Sequence, residues 1–126
     1  MRSNKIAITG TTSGIGLALA EALSKHNTVV ELSRPSFDLL DDNTLDSIDL
    51  RGYDILINNA GADYKRADFG EHSYMDWKDT VKINLIVPMY LTQKFIMQNL
   101  KGTVINITST GNQALPTTNS TVFYRT

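Results

Sequence analysis

Short apolar runs alternate along the chain with stretches in which apolar residues recur at helical spacing. The runs predict strands at 5–9, 28–32, 54–58 and 103–108, with a very short one at 37–39. Runs that are apolar almost throughout, such as KIAIT and DILIN, are typical of strands buried on both faces of a parallel sheet. The pattern therefore predicts an α/β fold of three layers, a doubly wound parallel sheet of about five strands with helices on both faces.

Helical spacing places helices between these strands, at 15–25 and at 74–99. A brief third helix is predicted to begin at Asp41 or Asp42, either of which can cap it, and to continue through residue 48. Doubly wound folds normally place a full helix between the second and third strands. Only a few residues stand there in this chain, which predicts a crossover shortened to a loop.

Composition and charge narrow the choice of partners. The 126 residues suit one domain, residues 1–126, and the balance of 12 basic and 13 acidic residues gives no electrostatic basis for binding nucleic acid or a membrane surface. The chain has no cysteine, so a thiolate metal site is excluded and we predict no metal.

The N-terminus enters a strand without a secretion signal, and no apolar segment reaches the roughly 18 residues of a membrane span. We therefore expect a cytoplasmic protein.

The segment TGTTSGIG, residues 9–16, joins the first predicted strand to the first predicted helix. Gly10, Gly14 and Gly16 lack a Cβ atom, so the turn can lie close against a ligand. The helix that follows presents unpaired N–H groups and the positive end of its dipole. A strand, a glycine turn and a helix in this order predict a cradle for the paired phosphates of a dinucleotide.

Four other segments follow predicted strands and so meet the glycine turn at one edge of the sheet. They are Ser33 with Arg34, Asp38 with Leu39, the NNAG sequence at 58–61, and Thr108 with Ser109. Ligands of open α/β sheets bind at this edge, beyond the carboxyl ends of the strands.

Several of these motifs together resemble the short-chain dehydrogenase/reductase family. TGTTSGIG is similar to its TGxxxGIG cofactor turn, and DILINNAG to its NNAG motif. KINL at 82–85 resembles the site of the family's catalytic asparagine, VINITST at 104–110 the strand that ends in its catalytic serine, and FYRT at 123–126 the start of its YxxxK motif. The resemblance spans the whole chain and implies the N-terminal, Rossmann-like portion of such an enzyme.

The resemblance implies a nicotinamide dinucleotide as cofactor. Residues expected to bind it are Gly10, Thr12, Ser13, Gly14, Ile15, Gly16, Ser33, Arg34, Asp38, Leu39, Asn59, Ala60 and Gly61. Ser33 and Arg34 after the second strand favour NADP(H) over NAD(H), because an arginine there can pair with the 2′-phosphate. Glu31, earlier in that strand, is the competing acidic residue. Asp38 is expected near the adenine ring.

The implied chemistry is hydride transfer between the nicotinamide and a small-molecule carbonyl or alcohol. Ser109 would hydrogen-bond the carbonyl oxygen, Tyr124 would donate the proton, and Asn84 would hold a water or backbone group on the proton path. The family's lysine would stand at position 128, and the sequence ends at Thr126. We therefore expect the 126 residues alone to be a poor catalyst, and a non-catalytic dinucleotide-binding fragment or pseudoenzyme is the alternative.

The helix predicted at 74–99 carries apolar residues on more than one face. A helix that is apolar all round is buried on all sides. The resemblance implies that it packs against its copy in another subunit, so we expect a homo-oligomer, a dimer or a tetramer.

Overall fold

The computed structural model describes residues 3–61 and 69–108 of the chain. Within them, strands β1 (Lys5–Thr9), β2 (Thr28–Leu32), β3 (Ile55–Asn58) and β4 (Thr103–Asn106) form one sheet in the order β2-β1-β3-β4. All three neighbouring pairs are parallel. The predicted α/β class with a parallel sheet is therefore confirmed.

Three helical regions connect the strands. Helix α1 (Gly14–Leu23) follows β1, and the short helix α2 (Asp42–Ser47) precedes β3. After a short 3-10 turn (Phe69–Glu71), a continuous helical run is made of α3 (Tyr74–Val81), a π-helical segment (Lys82–Ile86) and α4 (Val87–Gln98). We call these three pieces together the long helix.

Side-chain caps fix where two of these helices begin. The Asp41 carboxylate accepts a hydrogen bond from the Thr44 N–H at 3.2 Å, which settles the alternative between Asp41 and Asp42 in favour of Asp41. Ser73 and Asp76 form a capping box at the start of α3.

The π-helical segment lies directly before a proline. Val87 donates its N–H to the carbonyl of Lys82, five residues back, and Pro88 follows in the first turn of α4. Proline has no N–H, and its ring clashes with the carbonyl four residues before it, which is that of Asn84. A widened turn relieves this clash, and such turns are frequent at functional sites.

The core lies on both faces of the sheet because alternate strand residues point to opposite sides. Ile6, Ile8 and Ile57 form one cluster, against which Leu19 and Leu23 of α1 pack. The other face carries the larger cluster, shared with the crossover and the long helix, and its members are Ala7, Leu32, Leu39, Leu45, Ile48, Leu50, Leu56, Ile83, Val87, Leu91 and Phe95.

The short strand predicted at 37–39 is wrong, because these residues form a turn. The Phe37 N–H donates to the Ser33 carbonyl at 3.0 Å, and the Asp41 N–H donates to the Asp38 carbonyl at 3.0 Å. The Asp38 carboxylate also accepts from the Leu40 N–H at 3.1 Å, a local bond that competes with strand pairing. The described sheet thus has four strands where the sequence predicted about five, and β2 and β4 are its edge strands in those residues.

The long helix is only partly buried in the isolated chain. Its core-facing residues, such as Leu91 and Phe95, are buried, whereas Leu85, Met89 and Met97 are exposed. Burial on all sides, which the apolar pattern predicts through packing against a second copy, is therefore not provided by the single chain and stays a prediction. Across residues 3–61 and 69–108, we find no helix with the length and apolar character needed to cross a bilayer.

Candidate functional site

A cleft of about 300 Å³ lies at the carboxyl edge of the sheet. Its lining is made by the turns that follow β1, β2 and β3, together with one residue of the long helix. Every residue that the sequence marks for the cofactor lies on this lining, except Gly14. The lining residues are Gly10, Thr12, Ser13, Ile15, Gly16, Leu32, Ser33, Arg34, Phe37, Asp38, Leu39, Leu40, Asn59, Ala60, Gly61 and Ile83.

Close packing explains one glycine of the turn, Gly16, and backbone conformation explains another, Gly14. A Cβ atom on Gly16 would lie 2.0 Å from the Gly10 oxygen and 2.3 Å from Nδ2 of Asn59, so no larger residue fits. Gly14 has a φ of +59°, a left-handed conformation that disfavours other residues, but a Cβ there would meet nothing within 4 Å. Glycine is therefore required at position 16 because there is no room for a side chain, and it is favoured at position 14 because of the backbone conformation.

Hydrogen bonds join the glycine turn to the NNAG segment. The buried Thr9 hydroxyl, with the residue 1% exposed, accepts from the N–H groups of Asn59 at 3.0 Å and Ala60 at 2.8 Å. In return, Nδ2 of Asn59 donates to the carbonyls of Thr9 at 3.2 Å and Gly10 at 2.9 Å. The two turns therefore form one rigid wall of the cleft, which we call the glycine wall (residues 9–16 and 59–61).

The residues that follow β2 continue the lining beside the glycine wall. The Ser33 hydroxyl accepts from the Thr11 N–H at 2.8 Å and lies 2.9 Å from the Thr11 hydroxyl. Ser33 thus also supports the glycine turn. Arg34 is exposed on the cleft lining, whereas Glu31 is exposed away from it.

The first turn of α1 suits an anion. Ser13 is its N-cap residue, but the Ser13 side chain makes no capping hydrogen bond, and the first turn contains no acidic residue. The N–H groups at the start of any helix lack partners within it, and they carry the positive end of the dipole. Phosphate groups of a dinucleotide fit this place, because the lining offers backbone donors and no opposing carboxylate in that turn.

The opposite wall is the turn at 37–40, which we call the crossover wall. Leu39 is buried in the core, and Asp38 is exposed at the rim of the cleft. Lys82 of the long helix holds this turn from behind, since its Nζ donates to the Leu40 carbonyl at 2.7 Å and pairs with Asp42. The cleft lining also includes four residues that the sequence does not indicate, because they carry no signal beyond being apolar. They are Leu32, Phe37, Leu40 and Ile83.

Of the three predicted catalytic residues, the structure describes only Asn84. It lies in the π-helical segment, and its Nδ2 donates to the Thr80 carbonyl at 2.9 Å. A Cβ on Gly61 would come within 2.8 Å of Oδ1 of Asn84, so Asn84 stands beside the end of the glycine wall. Ser109 and Tyr124 lie outside the described residues, and their roles stay predictions.

A second, larger concavity of about 510 Å³ runs along α3, and its lining includes Tyr74, Met75, Val81 and Ile86. It is mostly apolar, and none of its lining residues belongs to a strand. Its lining includes the first turn of α3, but Ser73 caps that turn and Asp76 places an acidic side chain in it, which disfavours an anion.

Lys78 and Lys82 also line this concavity, but Lys82 is bonded to Leu40 and Asp42. Since the uncapped start of α1 and the exposed Arg34 meet in the cleft, we assign the candidate site to the cleft despite its smaller volume.

Comparison with known proteins agrees with this assignment of the fold. A family model described as short chain dehydrogenase matches residues 42–121. The chain is 31% identical to the short chain dehydrogenase helC of Aspergillus fumigatus, in an alignment that covers 86% of this chain and 56% of that protein. A short-chain dehydrogenase from Streptomyces avermitilis superposes with a TM-score of 0.81 at 24% identity, covering 98% of this chain and 56% of that one.

A further solved structure carries a cofactor. It is a putative 2-deoxy-D-gluconate 3-dehydrogenase from Agrobacterium tumefaciens with bound NADP, at 28% identity and a TM-score of 0.73. The match covers 97% of this chain and 59% of that one. The chain spans little more than half the length of the curated relatives it matches. With its family model, its relatives and its parallel sheet in agreement, the chain belongs to the short-chain dehydrogenase family of oxidoreductases.

Proposed function

We propose that the chain is the cofactor-binding portion of an NADP(H)-dependent oxidoreductase that transfers hydride between the nicotinamide and a carbonyl or alcohol. One observation carries the proposal. At the carboxyl edge of the sheet, the uncapped start of α1 and the exposed Arg34 line the same cleft. The first suits a pyrophosphate, and the second suits a phosphate on the adenosine ribose.

The glycine wall binds the pyrophosphate through backbone N–H groups near Ser13 and Ile15. Arg34 donates to the 2′-phosphate, and the Ser33 hydroxyl assists it. The two hydroxyls of Ser33 and Thr11 lie 2.9 Å apart, so either can donate to the other. When Thr11 donates, the proton of Ser33 is free for the phosphate. NAD(H) lacks this phosphate, so the arrangement supports NADP(H), as does the NADP bound to the Agrobacterium tumefaciens relative.

The roles of the residues at the nicotinamide end of the cofactor are assigned by resemblance to the family. The bound dinucleotide supplies or accepts the hydride. Ser109 orients the substrate oxygen, Tyr124 gives it a proton, and Asn84 holds a group on the path to solvent. A free tyrosine has a pKa of about 10, so proton transfer near neutral pH needs a neighbouring cation to stabilise the phenolate. A lysine at position 128 of a longer parent chain would be that cation.

The exposed face of the long helix supports assembly with further copies of the chain. Met75, Leu85, Met89, Ile96 and Met97 are all exposed in the single chain. Exposed apolar side chains along one helix favour an interaction surface, so a dimer or tetramer through residues 74–99 forms part of the proposal. We propose a cytoplasmic location as well.

The test is a fluorescence titration of the 126-residue chain with NADPH and, separately, with NADH. We expect saturable NADPH binding that is at least about tenfold tighter than NADH binding, since hydrogen bonds to a charged group contribute about 1.5–3 kcal/mol. Binding of neither cofactor, or equal binding of both, would overturn the proposed NADP(H) dependence. Turnover of a panel of carbonyl compounds then separates an enzyme from a dinucleotide-binding fragment without activity.

A further inference from the structure

The crossover wall lacks the support that a strand would give it. Residues 37–40 make no pairing with the sheet, and α2 behind them is only six residues long. Nevertheless Asp38, Leu39 and Leu40 all line the cleft, opposite the glycine wall. Something outside the turn must therefore fix its distance from the rest of the lining.

Burial of Leu39 holds the turn on the core, and Lys82 adds the polar contacts that fix its position. Its Nζ donates to the Leu40 carbonyl at 2.7 Å and pairs with the Asp42 carboxylate. The Lys82 side chain is 21% exposed, whereas that of Asp42 is 86% exposed, so the bond to Leu40 lies on the sheltered side. A hydrogen bond from a charged donor in partial shelter is stronger than one between neutral groups.

The position of Lys82 in the long helix makes these bonds relevant to the cleft. Lys82 opens the π-helical segment, and its neighbour Ile83 is buried and lines the same cleft. The ammonium group thus connects the crossover wall to the helix that supplies the adjoining part of the lining.

We propose that Lys82 is a positioning residue for the adenine side of the cofactor. It does not line the cleft, and it acts through the Leu40 carbonyl, by holding the crossover wall at the separation from Ile83 that the bound ring needs. This inference rests on the proposed function, because it assigns the crossover wall to the adenosine half of NADP(H).

Lys94 offers a matched control in the same long helix. Its Nζ donates to the carbonyls of Leu45 at 2.8 Å, Asp46 at 2.7 Å and Ile48 at 3.0 Å. It therefore anchors the same crossover through the same type of group, but neither Lys94 nor any of its three acceptors lines the cleft. If both lysines only stabilised the fold, replacing either one would change the affinity for the cofactor to the same extent.

The experiment compares Lys82→Met, Lys82→Arg and Lys94→Met by urea unfolding and by titration with NADPH and with adenosine 2′,5′-bisphosphate. We expect both methionine variants to lower the unfolding midpoint. Only Lys82→Met should raise the dissociation constants, by about fivefold to tenfold and equally for both ligands. This is less than the loss of a charged hydrogen bond made to the ligand itself, because Lys82 acts through the Leu40 carbonyl. Lys82→Arg, which keeps a charged donor, should stay within about twofold of the wild type.

The outcomes separate the two proposals. If the wild-type chain binds neither ligand, the proposed function falls, and this inference falls with it. If the wild type binds and the two methionine variants weaken binding equally or not at all, only the role of Lys82 is overturned. Should Lys82→Met fail to fold, Lys82→Gln replaces it under the same criterion, since its shorter neutral side chain also gives up the charged bond to Leu40.

Discussion

The two walls of the cleft are built in different ways. In the glycine wall, bonds such as those of Asn59 to Thr9 and Gly10 join residues that belong to the recognisable motifs themselves. The crossover wall instead depends on Lys82, which lies 42 positions along the chain from the Leu40 carbonyl that it holds. Both walls are therefore held by tertiary contacts, which span 49–51 positions in the glycine wall and 42 in the crossover wall, but only in the glycine wall do both partners belong to the cofactor motifs. Four substitutions or conditions test this difference.

The largest effect is expected from Gly16→Ala in the glycine wall. The new Cβ would overlap the Gly10 carbonyl, 2.0 Å away, and backbone cannot yield as the end of a flexible side chain can. We expect NADPH binding to weaken by more than about 100-fold, with a large fall in the free energy of unfolding, because overpacking costs about 1–3 kcal/mol or more. Gly14→Ala, which meets only backbone strain of about 1–2 kcal/mol, is the comparison for stability. Equal unfolding free energies for the two variants would contradict the packing argument.

Thr9→Val tests the bonds that join the two turns of the glycine wall. Valine keeps the shape of threonine but leaves the N–H groups of Asn59 and Ala60 without their acceptor. Each unsatisfied group costs about 1–3 kcal/mol, so we expect urea unfolding to show a loss of about 2–4 kcal/mol. Thr9→Ser retains the hydroxyl and should lose less. A valine variant as stable as the serine variant would show that these bonds do not hold the wall.

Arg34→Ala tests the residue that stands between the two walls. We expect the dissociation constant of NADPH to rise by about 10- to 150-fold, the equivalent of about 1.5–3 kcal/mol for charged hydrogen bonds, while that of NADH stays the same. Arg51→Ala is the matched control, because Arg51 is also an exposed arginine but lies away from the cleft, beside Asp49. A parallel loss of NADH affinity would mean that Arg34 does not read the 2′-phosphate.

The smallest effect concerns pH and the helix behind the crossover wall. Hydrogen bonds from the Thr44 hydroxyl and N–H lower the pKa of Asp41 below its ordinary value. A carboxyl whose pKa is lowered by folding stabilises the fold above its unfolded pKa of about 3.9, and this contribution disappears as the pH falls through the folded value.

Urea unfolding of the wild type and Asp41→Asn between pH 7 and pH 2.5 measures this contribution. The wild type should be the more stable of the two at pH 7, and the gap should close below about pH 4. A gap that is independent of pH would show that the charge of Asp41 has no part in the cap.

Particular residues show which features of the fold and the site can be predicted from the sequence. The parallel sheet and the glycine turn follow from apolar runs and glycine spacing, which are local signals. The strand predicted at 37–39 is wrong because Phe37 and Leu39 are apolar as in a strand, whereas the Asp38 carboxylate bonds the nearby Leu40 N–H and favours a turn. Lys82 opens the KINL segment, but nothing in the sequence indicates that it supports the crossover wall, because its partner lies in a different segment. Only the folded structure brings the two together.

A proton–nitrogen NMR titration of the chain with NADPH tests the central claim most directly. If the paired phosphates rest over the start of α1, the largest amide shifts will fall on residues 13–16, and smaller ones on residues 59–61 and 38–40. Largest shifts along the apolar concavity of α3, around Tyr74, Val81 and Ile86, with the glycine turn unchanged, would contradict the account and move the site there.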